Sequence, residues 1–148
     1  MNNRRRIIVG ISGATGIAYG IRILELLRSA DVESHLVVSK AGHLTRSYES
    51  GLSARDLESL ADVNYAQADI GAAIASGSFR TMGMVVAPCS IRTLAEIASC
   101  ATGSLLTRAA ATQSPCSAYQ ATVSRSPSSN GTVGRHPSSA RILAQLRA

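Results

Sequence analysis

Three short runs of apolar, mostly β-branched residues recur along the chain, each closed by small or polar residues. "RIIVGIS" (6–12), "ESHLVVS" (33–39) and "MGMVVAPCS" (82–90) have the length and composition of strands buried on both faces. Between them the apolar positions switch to helical spacing. In 17–29, Ile17, Ile21, Leu24 and Leu27 fall near one face, with Arg22, Glu25 and Arg28 available for the other. Residues 40–50 predict a second helix, weakened a little by Gly42. Ser53 stands three residues before Asp56, a capping-box-like start for a short helix. Residues 69–77 and 91–99 predict further helices, and 104–111 extends the helical pattern beyond Gly103. Strand–helix alternation of this kind predicts an α/β fold with a parallel sheet covered on both faces.

Composition bounds the picture. The chain has 148 residues, 45% of them hydrophobic, enough for one domain with a core. Four Tyr, one Phe and no Trp leave little for the aromatic stacking that single-strand nucleic-acid binders use. The net charge is +6, but all nine acidic residues precede residue 111, while Arg125, Arg135, Arg141 and Arg147 follow it. The basic character belongs mostly to that tail and to Arg4, Arg5 and Arg6, so it predicts a solvated segment and no nucleic-acid partner. Cys89, Cys100 and Cys116 have neither metal-ligand spacing nor a C-x-x-C pair, which reads as three reduced thiols and no metal. The basic start "MNNRRRIIVGIS" has too short an apolar run for a signal peptide. No stretch approaches the ~20 apolar residues of a membrane span, and the expectation is a cytoplasmic protein.

After Ala110 the character changes. Residues 111–148 hold eight Ser and three of the four Pro, with no Lys, Asp or Glu. The pattern divides the chain into a domain over 1–110 and a Ser/Pro/Arg-rich tail over 111–148. That composition predicts disorder, or an out-of-frame reading of GC-rich coding DNA.

In an open α/β sheet, ligands bind beyond the carboxyl ends of the strands. The predicted strands end in Ser12-Gly13-Ala14-Thr15-Gly16, in Ser39-Lys40 and in Pro88-Cys89-Ser90-Ile91-Arg92-Thr93. Each turn enters a helix, whose N–H groups and dipole favour an anion. Glycine lets backbone approach an oxyanion, Thr15, Ser39, Ser90 and Thr93 carry hydroxyl donors, and Arg92 can neutralise charge bidentately. A phosphorylated ligand fits these loops better than a neutral one. Other readings stay open at single positions. The spacing G-x-x-G-x-x-G (Gly10, Gly13, Gly16) is neither a dinucleotide fingerprint nor a P-loop, and tight strand–helix turns need glycine anyway. Ser39 and Ser90 read equally as N-caps, Glu49 as a solvated helix-end charge, Cys89 as a nucleophile or a small buried thiol, and His35 as a structural residue.

Taken together, "VGISGATG", "HLVVSKAG", the Glu of "YES", "SGSFRTMGMVVAPCSIRTLAEIA" and "LLTRAA" resemble the UbiX-type flavin prenyltransferases, formerly described as phenylacrylic or aromatic acid decarboxylases. The resemblance covers 7–110. It implies a flavodoxin-like three-layer α/β/α sandwich, C-terminally incomplete here, in a family that forms large homo-oligomers (dodecamers) with flavin at subunit contacts. It further implies transfer of a dimethylallyl group from dimethylallyl phosphate to N5 and C6 of reduced FMN, without a metal. The product, prenylated FMN, would serve a UbiD-type decarboxylase, as in ubiquinone synthesis. By the same resemblance Gly13, Ala14, Thr15, Ser39, Ser90, Ile91, Arg92 and Thr93 contact FMN, while Glu49 and Thr15 are catalytic.

Beyond Ala110 the family continues with a strand, an Arg-bearing turn, a second acidic residue, and Tyr and Lys/Arg groups for the prenyl phosphate. None has a match in the tail. A non-catalytic FMN-binding homologue is the alternative this raises. A related flavin-dependent decarboxylase acting on peptidyl or pantothenoyl cysteine would need a catalytic His on the second helix; His43 is the only residue to test, and "PCSIRT" disfavours that option.

Overall fold

The computed structural model describes residues 5–113. The expectations for the tail fall outside the described residues, except at 111–113. The three predicted strands form as β1 (Arg6–Ile11), β2 (Glu33–Val38) and β4 (Met84–Val86), and a fourth, β3 (Val63–Tyr65), joins them. All pair in parallel in the order β3-β2-β1-β4. The helices are α1 (Ile17–Ser29), α2 (Lys40–Glu49), α3 (Ala54–Ser59), α4 (Ile91–Ala98) and α5 (Leu105–Gln113).

Alternation along β1 assigns the layers. Ile7, Val9 and Ile11 pack with Ile17 and Leu24 of α1 and Leu57 of α3. Ile8 faces the other way, into a second cluster with Val37 of β2, Ile74, and Leu105, Leu106 and Ala109 of α5. A strand apolar at every position is what two covered faces require, and the result is the expected flavodoxin-like three-layer sandwich. The capping box at α3 forms in full, with Ser53 and Asp56 bonding each other's backbone N–H.

Three local expectations change. β4 is only three residues long, because Gly83 (φ 144°) and Pro88 interrupt the run at either side. Residues 69–77 yield a single 3₁₀ turn, Ala73–Ala75, since a segment between Gly71 and Gly77 is too short to repay helix nucleation. Cys89 is free and exposed, so it is not a small buried thiol. His35 is structural, as expected. It is 3% exposed, lies 2.8 Å from Glu33 and 3.0 Å from Tyr65, and meets Phe79 edge-on at the N-terminal end of the sheet. Among the described residues no helix is long and apolar enough to cross a membrane.

Ile8 is fully buried between β2, β4 and α5. Ile8→Ala is expected to cost about 2–5 kcal/mol of stability, read from the denaturant midpoint. A loss well under 1 kcal/mol would mean that the second cluster is not a sealed core.

Candidate functional site

The strand order places β1 between β2 and β4, so the chain leaves β1 toward one side and returns on the other. The carboxyl ends of β1 and β4 therefore form a topological switch point, where open α/β sheets bind ligands. One buried side chain joins these two ends. Ser12, 1% exposed, donates its hydroxyl to the Pro88 carbonyl at 2.9 Å and accepts the Ser90 N–H at 2.6 Å. β2 is tied in by the Ser39 N–H, which donates to the Ile11 carbonyl at 2.9 Å.

These ties gather the N-termini of α2, α4 and α5 around a cavity of about 580 Å³, lined in part by Gly13, Ser39, Lys40, Gln67, Ser90 and Thr93. Each helix carries its own hydroxyl cap. Ser39 accepts from the Gly42 N–H at 2.9 Å, Ser90 from the Thr93 N–H at 3.2 Å, and Ser104 from the Thr107 N–H at 3.3 Å. The N-cap reading of Ser39 and Ser90 is thus correct; the Ser39 hydroxyl can accept through a lone pair and still donate its hydrogen, whereas Ser90 donates its own to Thr93 Oγ1 at 3.0 Å. Arg92 also lines the cavity, with its guanidinium 89% exposed and bonded to Glu96 at 2.9 Å. Ile70 and Leu106 supply apolar wall.

Of the residues singled out in the sequence, the cavity brings together Gly13, Ser39, Ser90, Arg92 and Thr93; Ala14, Thr15, Ile91 and Glu49 lie outside its lining. Ile91 is 88% exposed. His43 is not among the lining residues either. Gly13 is required by packing. A Cβ there would fall 2.4 Å from the Ala41 Cβ, so the glycine lets α2 seat its first turn against the loop. Gly16 is required by conformation, having φ 108° at the N-cap of α1.

Glu49 has a distinct position. From the last residue of α2 its Oε2 accepts the Gly16 N–H at 2.9 Å and the Ile17 N–H at 3.1 Å. These backbone bonds, with a hydrogen bond from Thr15, hold its pKa below the ordinary value. The N-terminus of α1 is therefore occupied by the protein's own carboxylate, whereas those of α2, α4 and α5 border the cavity. Sequence reasoning missed Lys40, Gln67, Ser104 and Thr107 as lining residues. Only Ser104 and Thr107 had a legible signal, hydroxyls three apart at the start of an apolar helical pattern.

A parallel α/β domain with a cavity lined by hydroxyl-capped helix N-termini at its switch point is the class that fold and site define. The chain belongs to the Flavoprotein family, whose model matches residues 1–148. It is 53% identical over 107 residues to the flavin prenyltransferase UbiX of Escherichia coli K12, covering 72% of this chain and 57% of that protein. It is 48% identical over 106 residues to the mitochondrial flavin prenyltransferase PAD1 of Saccharomyces cerevisiae, covering 72% of this chain and 44% of that one. The structure resembles AnUbiX (PadA1), solved with FMN and dimethylallyl pyrophosphate, with TM-score 0.73 and 44% identity over 74% of this chain and 58% of the other. It also resembles a dodecameric FMN-dependent UbiX-like decarboxylase of Escherichia coli O157:H7, with TM-score 0.71 and 47% identity over 72% and 59% of the two chains. The chain thus spans little more than half the length of these bacterial relatives.

Two outcomes follow from the geometry. Ser12→Ala leaves the Ser90 N–H without its buried acceptor and is expected to cost about 1–3 kcal/mol, measured by chemical denaturation; an unchanged midpoint would show that the latch contributes nothing. A carboxylate with a lowered folded pKa stabilises the fold above its ordinary value, 4.5 for Glu49, and loses that contribution as pH falls through the folded value. Thermal melts across this acid window are expected to fall less steeply for Glu49→Gln than for wild type. Parallel curves would remove Glu49 from the acid response.

Proposed function

We propose that the chain is a flavin prenyltransferase that takes reduced FMN and dimethylallyl phosphate and forms prenylated FMN for a UbiD-type decarboxylase. The observation that carries this reading is the cavity walled by three hydroxyl-capped helix N-termini, in a chain about half identical to UbiX proteins over 107 residues. The cavity fits a mononucleotide in size and chemistry. Its volume lies in the range of small-ligand sites, its termini and hydroxyls suit a phosphate, and Ile70 and Leu106 suit a ring.

Ser39, Ser90, Thr93 and the adjacent helix amides would hold the phosphate of FMN, with Arg92 at the rim. Gly13, Ala14, Thr15 and Ile91 would complete the contacts along the strand-end turns. Bound there, reduced FMN would supply two nucleophilic positions: N5, which displaces phosphate from C1 of the dimethylallyl group and gives up its proton, and C6, which adds to the tertiary alkene carbon as a proton enters at the neighbouring alkene carbon and the C6 proton leaves. Glu49 is ionised at neutral pH because backbone N–H groups and Thr15 favour its charged form. Being ionised, it would take the proton that leaves flavin C6 when the new carbon–carbon bond forms. Thr15, hydrogen-bonded to it, fixes its direction. We place the reaction in the cytoplasm and in a homo-oligomer, with no metal in the chemistry.

A second reading, FMN binding without prenyl transfer, is supported by one observation. The Tyr and Lys/Arg groups that the resemblance assigns to the prenyl phosphate have no match in this chain. Titration with FMN, followed by dimethylallyl phosphate under reducing conditions, separates the two. Prenyl transfer is expected to change the flavin spectrum, and Glu49→Gln to slow it by about 10²–10⁴-fold while FMN affinity stays within a few-fold. Flavin that binds but never changes would establish the second reading; no binding at all would overturn both.

A further inference from the structure

The loop after β3 carries no motif, yet it reaches two of the three helix N-termini at the cavity. Gln67 does this with both halves of the residue. Its side-chain Oε1 accepts the Lys40 N–H at 2.8 Å, at the first residue of α2. Its backbone carbonyl accepts the Leu105 N–H at 3.2 Å, at the first residue of α5. Leu105 is fully buried, so the second bond anchors the loop to the core. Gln67 itself is half-buried and lines the cavity beside Lys40 and Ser104.

The molecule contains the contrasting arrangement. At α1 the terminal N–H groups are met from a distant helix by the Glu49 carboxylate; at α2 the first N–H is met from a distant loop by a neutral amide oxygen. A carboxylate neutralises the positive end of a helix, whereas an amide oxygen satisfies the same hydrogen bond without adding charge. Lys40 and the three termini therefore keep their attraction for an anion. The Glu96 carboxylate on the lining is already engaged by Arg92.

We propose that Gln67 is a positioning and selectivity residue: it fixes the N-termini of α2 and α5 about the cavity while leaving their positive potential to a phosphate monoester. The assignment rests on the flavin-binding reading and deepens it. Its readout is the ratio of FMN to riboflavin affinity, because riboflavin lacks the phosphate and general loosening of the site affects both flavins. Binding is followed by quenching of flavin fluorescence on the full chain. Gln67→Glu keeps an acceptor for Lys40 and adds a charge; the ratio is expected to fall about tenfold, and less at high salt as the charge is screened. Gln67→Met, near in size and neutral, is expected to keep the ratio at or above that of wild type, and it carries the test if Gln67→Glu does not fold. An unchanged ratio in Gln67→Glu, or a lowered one in Gln67→Met, overturns the assignment. If wild type binds neither flavin, the flavin reading fails by itself, and the thermal shift produced by inorganic phosphate becomes the probe. A shift present in wild type and lost in Gln67→Glu then supports the role of Gln67; a shift retained in that variant, or absent from wild type, overturns it.

Discussion

The hydroxyl of Ser12 is the join on which the site depends. β1 and β4 are neighbours through only three register pairs, Ile8 to Gly10 against Met84 to Val86. Past those pairs the strands have to hand over to two different helices without separating. Ser12 does this by donating to one residue of the β4–α4 turn and accepting from another. Both bonds are made by a side chain removed from water, where an unmade bond is costly. Cap, turn and cavity wall follow from that placement, since the Ser90 N–H donates to the Ser12 hydroxyl while the Ser90 side chain caps α4.

The glycine-rich turn after β1 has the look of a phosphate loop, but its glycines do other work. Gly13 makes room for Ala41, and Gly16 supplies a left-handed N-cap. The amides it presents at the start of α1 are closed by Glu49. Charge is thereby divided between two ends of one loop: its Thr15 side carries a fixed carboxylate, and its Gly13 side borders a cavity rich in donors. The proposed reaction, which handles a phosphate and a proton, would use both kinds of surface, kept apart.

What could be read in advance follows the range of the interaction. β1, α1 and β2 were legible because apolar periodicity is local, and Ser39, Ser53 and Ser90 were legible as caps because a cap acts within three residues. β3 was not: Val63–Tyr65 is three residues long with an exposed Asn64 at its centre, too short to show alternation. Nor was the position of Glu49, whose partners lie 32 and 33 residues away, or that of Gln67, 27 residues from Lys40. Five of the eight residues assigned to FMN by resemblance meet in one cavity, because strand ends of a parallel sheet share an edge. The further walls came from Lys40, Ser104 and Thr107, whose convergence depends on tertiary packing of α2 and α5.

The strand order also carries a consequence for how the chain comes together. β2 lies against β1 through a single crossover helix, whereas β4 must return to β1 after α2, α3 and β3 have intervened. The two Ser12 bonds span 76 and 78 positions, and each doubling of a closed loop costs only about 0.6 kcal/mol of chain entropy. Distance along the chain is thus a modest thermodynamic burden, but it is met by few contacts, since β4 offers three register pairs where β2 offers six. The β1–β4 seam, three register pairs long like the one between β2 and β3, is the one that borders the cavity. A ligand in that cavity would touch residues on both sides of the seam, so that its binding and the closure of the sheet there would become a single equilibrium.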